Sequence, residues 1–241
     1  MYAYTQPFLE IVLEFHRYRR PHGSEYESHV QTLLQTVGFI PCAGGLIRWG
    51  TERNLFLTAH TDTVGEGGEN RLHIQDGYLV GDGLQNIGAD DSAGLVILYH
   101  LAQARPDLTL FASTGEEQGG IGSIEFCKAY SAKLPRVVIS LDRRGKTSVI
   151  TYQRRQRTCS DRFARQLAQM LGGAYAPDDT GIFTDSAVFK QYGSAECTNI
   201  SVGYEDQHRP TERLDIGFLE WLTHRLEQLD FNYLLNLVYC E

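Results

Sequence analysis

Apolar residues at Phe8, Ile11, Val12 and Phe15 recur at helical spacing, which predicts a first helix within residues 7–19. Pro21 and Gly23 end it. Ser24 followed three residues later by Glu27 has the form of a capping box, so a second helix is expected over 24–36, closed by Gly38. Apolar runs at 54–59, 108–112 and 137–141 read as strands covered on both faces, with shorter strands at 46–49, 149–151 and 197–202. Residues 72–74 and 78–80 flank Asp76-Gly77, a hairpin signal, while 65–70 and most of 172–184 read as loop. Helical patterns follow at 93–104, 123–132, 160–171 and 185–191. One amphipathic helix is expected over 217–238, with Phe218, Leu222, Leu226 and Leu229 on its buried face.

Strands alternating with helices predict an α/β fold, a sheet with helices on both faces, and one domain over residues 1–241. In such sheets ligands gather beyond the carboxyl ends of the strands. A net charge of −8 argues against general nucleic-acid binding. No apolar run approaches the roughly 18 residues of a membrane span. The start of the chain carries no basic region followed by a long apolar run, so no secretion signal is expected. Cys42, Cys127, Cys159, Cys197 and Cys240 are scattered and form no C-x-x-C pair, which favours free thiols in the cytoplasm.

The candidate chemistry gathers between His60 and Glu117. His60-Thr61-Asp62 follows one predicted strand, Asp90-Asp91 precedes a helix, and Glu116-Glu117 follow another strand. Each has a plain reading taken alone: a strand-end histidine, a pair of helix N-caps, a solvated turn. Asp142 after a buried strand is equally open. Together with Asp142 and His208 they supply five nitrogen and oxygen donors, the number two metal ions need when they share a carboxylate. That combination points to a dinuclear metallohydrolase, an exopeptidase in the first instance.

The chain resembles the catalytic domain of the co-catalytic zinc peptidases of families M28, M20 and M42. The matching stretches are His60-Thr61-Asp62, Gly88-Ala89-Asp90-Asp91-Ser92-Ala93-Gly94, Gly115-Glu116-Glu117-Gln118-Gly119, Asp142 and His208-Arg209-Pro210-Thr211-Glu212, with Pro21 to Glu27 resembling the family's entry to an early helix. The resemblance implies a three-layer sandwich on a mixed, largely parallel sheet. It also implies that Asp90 bridges two divalent ions, with His60 and Asp142 completing one and Glu117 and His208 the other. Glu116 would be the general base, Asp62 would orient His60, and the Asp90–Asp91 peptide would be cis. Zinc suits this donor set, and cobalt or manganese are also compatible. The two ions would lower the pKa of a shared water whose proton Glu116 takes. Only 29 residues separate His60 from Asp90 and 65 separate Asp142 from His208, so neither gap is expected to hold a lid or dimerisation domain. The layout is thus similar to single-domain M28 aminopeptidases, with oligomeric state left open.

An aminopeptidase acting on peptides is the first expectation. A carboxypeptidase or a deacylase of N-acyl amino acids would share the same centre, and a non-catalytic binding module is the remote alternative. Arg143 and Arg144, directly after Asp142, are either a solvated basic surface or a bidentate contact for a substrate carboxylate. Asp185 and Tyr204 are further candidates for the substrate pocket, each with a purely structural alternative.

Overall fold

The structure, a computed structural model, describes residues 3–239. Its main sheet has eight strands. In spatial order they are Ala176–Asp178, Ser148–Ile150, Glu196–Ser201, Val137–Arg143, Leu55–His60, Thr109–Ser113, Gly45–Arg48 and Ile40–Cys42. The four longest central strands run parallel, and antiparallel pairs lie to either side of them. The carboxyl ends of Leu55–His60, Thr109–Ser113, Val137–Arg143 and Glu196–Ser201 therefore share one edge of the sheet.

Alternation along these strands sorts their side chains into two cores. Leu55 and Leu57, Leu110 and Ala112, and Val137 and Ile139 join the larger core beneath helices Gln6–Phe15, Ala89–Ala104, Asp161–Leu171, Ile216–Glu227 and Phe231–Tyr239. Phe56, Phe111 and Val138 point the other way, toward Phe126 and Phe189 of helices Ile121–Ala129 and Asp185–Gln191. Each fully buried side chain of this size stabilises the fold by about 1.5–3 kcal/mol relative to exposure. Helices thus cover both faces of the sheet. None among the described residues is long and apolar enough to cross a membrane.

A second sheet places the last part of the site. Strands Tyr204–Glu205, Arg213–Asp215, Tyr78–Val80 and His73–Gln75 pair antiparallel in that order. The hairpin turn has positive φ at both Asp76 (51°) and Gly77 (82°), the geometry two-residue hairpins favour. The loop carrying His208 is held between two strands of this sheet.

The structure departs from the sequence pattern at several places. No capping box forms at Ser24. Its Oγ has no partner among the described residues, and Glu27 Oε2 accepts from Gly23 N at 2.9 Å. The other Glu27 oxygen accepts from Thr61 Oγ1 at 2.5 Å, and the helix starts at Glu27. The C-terminal helix is two, Ile216–Glu227 and Phe231–Tyr239, because Asp230 Oδ1 accepts from Asn232 N and Tyr233 N and caps a new start. Gly68–Glu69, read as loop, pairs with Tyr18–Arg19. Ala176–Asp178, also read as loop, is an edge strand, the position that tolerates Pro177. Cys42, Cys127, Cys159 and Cys197 are free, and Cys240 lies outside the described residues.

Candidate metal centre

Three of the predicted donors, and the predicted base Glu116, reach one edge of the sheet because their strands end there. His60 is the last residue of Leu55–His60, Asp142 is next to last in Val137–Arg143, and Glu116-Glu117 follow Thr109–Ser113. Asp90 and Asp91 open helix Ala89–Ala104, where both have non-helical φ/ψ and their shared peptide is cis. The two carboxylates then part. Asp91 Oδ1 accepts from Gly94 N at 2.9 Å and Oδ2 from His60 N at 3.1 Å, so Asp91 caps the helix and braces the strand. Asp90 faces the histidines.

The Asp90 carboxylate stands between the two imidazoles. His60 Nε2 lies 3.1 Å from Oδ1, and His208 Nε2 lies 3.1 Å from Oδ2. On the His60 side, Asp142 Oδ1 is 3.9 Å from the same Nε2; on the His208 side, Glu117 Oε1 is 2.8 Å from its Nε2. His60 Nδ1 donates to the backbone oxygen of Asp62 at 2.9 Å, which leaves Nε2 to face Asp90. The Asp62 carboxylate is 3.4 Å from Nδ1 and accepts the backbone N–H groups of Glu116 and Glu117. Asp62 therefore fixes both the imidazole and the turn that presents the two glutamates.

Donor atoms of His60, Asp90 and Glu117, and likewise of His60, Asp91 and Asp142, lie within 4.8 Å of one another. Asp91 is spent on two backbone amides, so the second group is better completed by Asp90, whose Oδ1 faces His60.

The electrostatics agree with a cation-binding role. Burial and the carboxylates of Asp142 and Asp185 hold Glu116 well above the usual carboxylate range, only partly offset by His60. Burial and Asp90 do the same to Asp142. Hydrogen bonds with Asp90 and Glu117 push the His208 imidazole up to about 10. Burial alone would lower His60, yet Asp62 and Asp90 raise it well above its ordinary value. Buried acids crowded around imidazole nitrogens are costly unless positive charge joins them. The donor set fits a divalent cation.

Other side chains hold the donors from behind. Thr184 Oγ1 donates to Asp142 Oδ2 at 2.5 Å and Tyr204 Oη to Asp142 Oδ1 at 3.1 Å. Asn199 clasps the Asp142 backbone, accepting from its N–H and donating to its carbonyl. Glu212 accepts from His208 N, Ile87 N and Ala89 N. Arg20, fully buried, donates to Thr61, Phe15 and Tyr18 carbonyls and to Ser92 Oγ. None of these supporting roles was sought in the sequence, where Tyr204 was a candidate for the substrate pocket instead. Glu212 alone left a signal there, as the end of His208-Arg209-Pro210-Thr211-Glu212.

A cavity of about 270 Å³ opens over Asp90, Glu116, Glu117, Asp142 and His208. Arg143, Arg144 and Tyr204 line it. Asp185 does not: it is 1% exposed and accepts from the hydroxyls of Ser113 and Ser123, so it supports the strand below Glu116.

The model of peptidase family M28 matches residues 46–218. The uncharacterized protein YqjE of Bacillus subtilis (strain 168) is 30% identical over 76 residues, 29% of this chain and 20% of that protein; the match thus spans about a fifth of the relative's length. Among solved structures, aminopeptidase PepT of Bacillus cereus ATCC 10987 superposes with a TM-score of 0.74 at 16% identity, covering 91% of this chain and 96% of that one. A tripeptidase of Staphylococcus aureus subsp. aureus Mu50 gives 0.70 at 16% identity, over 92% and 96%. At such identities the likeness is one of fold.

Proposed function

The chain belongs to peptidase family M28, and from that premise we propose that it is a dinuclear metal-dependent aminopeptidase. The observation that carries this reading is Asp90, whose two oxygens face two different imidazoles at 3.1 Å. We assign His60 and Asp142 to one ion, Glu117 and His208 to the other, and Asp90 to both. When bound, the ions would supply a water of lowered pKa and polarise the scissile carbonyl. Glu116, whose Oε2 lies 3.9 Å from His60 Nε2, would take the proton from that water and pass it to the leaving amine. Asp62 keeps His60 in the right tautomer and sets the Glu116-Glu117 turn.

The names of the two fold neighbours, an aminopeptidase and a tripeptidase, support a terminal amide in a short peptide as substrate. The cavity is small for a binding cleft, which suits a short substrate. The four free described cysteines support a reducing compartment such as the cytoplasm.

The test is a mass-spectrometric digest of matched peptides with free, N-blocked and C-blocked ends, using zinc-, cobalt- and manganese-loaded protein. Trimming of free N-termini alone is expected. Trimming that survives N-blocking and stops with C-blocking would instead assign a carboxypeptidase.

A further inference from the structure

We propose that the substrate carries a carboxylate within about one residue of the scissile amide, and that Arg143 and Arg144 receive it. The inference rests on the peptidase reading and names the substrate class of the same cavity.

The chain itself puts the two arginines beside the reacting centre. They follow Asp142 directly, at the carboxyl end of strand Val137–Arg143, and both line the cavity over Asp90, Glu116 and Glu117. Two divalent ions would neutralise the four lining carboxylates, which leaves these guanidiniums as the remaining charges of the lining, Arg143 shared with Asp178 and Arg144 unpaired among the described residues. The neighbouring wall is Ile150, Ile182 and Phe183, whose low polarity strengthens an ion contact. Arg154 stacks on the Phe183 ring at 3.9 Å and adds to the positive field.

The two arginines differ in how they are held. Arg143 Nη2 donates to Thr180 Oγ1 at 2.8 Å and lies 3.8 Å from Asp178 Oδ2, which fixes the guanidinium. Its Nε is buried with no acceptor among the described residues. Arg144 is exposed, and the described residues offer its guanidinium no hydrogen-bond or ion-pair partner. Arg143 is thus a fixed cation in the lining, and Arg144 a free guanidinium fork suited to a planar carboxylate.

That carboxylate has three sources: an acidic side chain at the N-terminal residue, the free C-terminus of a dipeptide, or the acid of an N-acyl amino acid. The experiment measures kcat/KM of zinc-loaded wild type and Arg144→Ala on matched pairs. These are glutamyl and glutaminyl anilides, Ala-Ala and Ala-Ala amide, and acetyl-alanine and its amide. Wild type is expected to favour the carboxylate member in one pair by at least about tenfold, and that pair names the source. Arg144→Ala is expected to lower the rate on that member roughly tenfold more than on its neutral partner. Equal rates within every pair, or an equal loss on both members, overturn the proposal. If no substrate is hydrolysed, the peptidase reading fails by itself, and calorimetry with the carboxylate and neutral members of each pair decides instead. Tighter binding of a carboxylate member that disappears in Arg144→Ala upholds the carboxylate site; equal binding within every pair ends it.

Discussion

The carboxylate of Glu212 accepts the backbone N–H of Ala89 at 2.9 Å, joining segments 123 residues apart. The same oxygen accepts from Ile87 N, and the other accepts from His208 N at 3.2 Å. One side chain thus fastens the loop of His208 to the segment that delivers Asp90. His208 has φ 66°, a left-handed backbone that a non-glycine residue holds only under constraint. Glu212→Ala is expected to weaken zinc binding at the His208 side at least about tenfold, because the loop loses its anchor. It should also cost about 2–4 kcal/mol of stability through the buried N–H groups left unpaired. Two-site calorimetry with unchanged affinities would remove Glu212 from the account.

Glu116→Gln separates proton transfer from metal binding. The amide keeps the shape and the Asp62 contact to the backbone, while the five donors stay in place. Turnover is expected to fall about 10²–10⁴-fold with the zinc content unchanged. Turnover near wild type at full zinc occupancy would place the base elsewhere.

Helix Ala89–Ala104 lies so close to the sheet that position 94 has no room for a side chain. A Cβ on Gly94 would sit 2.4 Å from the Leu141 carbonyl oxygen and 2.5 Å from Asp91 Oδ1. Gly94→Ala must push the helix off the strand that carries Asp142, at a cost of about 1–3 kcal/mol or more. A lowered urea midpoint is the expected readout, and an unchanged one contradicts the packing described.

His16 gives a pH dependence away from the metal centre. Burial, aided by the charge of Arg20 and opposed by the Val12 carbonyl, holds its pKa at about 3 against an ordinary 6.5. Nδ1 donates to Val12 O at 2.7 Å, and Nε2 is buried without a partner, so the folded protein keeps the ring neutral. The unfolded chain binds the extra proton first. Its stabilising effect is therefore complete above pH 6.5 and is lost as pH falls toward 3, by up to about 1.4 kcal/mol per pH unit. Urea unfolding in EDTA at pH 5 and 7 should show a steeper loss for wild type than for His16→Gln. Parallel losses would mean that His16 titrates normally in the fold.

Sequence and structure agree where the determinants are local. The apolar runs ending at Ala59, Ala112 and Leu141 announced strands, and their ends carry His60, Glu116-Glu117 and Asp142 to one edge. The division of labour between Asp90 and Asp91 came only from the family resemblance and was not legible in the residues themselves. Two adjacent carboxylates look alike in a string, and only the backbone sends one to Gly94 N and the other to the histidines. Arg20, Thr184 and Glu212 went unassigned because partners such as Ser92, Asp142 and Ala89 stand tens of residues away. The helix break at Asp230 hid behind the apolar residues that continue past it, Phe231, Leu234, Leu235 and Val238.

The central claim is that Asp90 serves two ions at once. The direct measurement is zinc stoichiometry by elemental analysis and native mass spectrometry, on wild type, His208→Ala and Asp90→Asn. Wild type should hold two ions, His208→Ala one, and Asp90→Asn neither at full affinity. A single ion in wild type, or two ions retained in Asp90→Asn with unchanged affinity, would contradict the shared carboxylate.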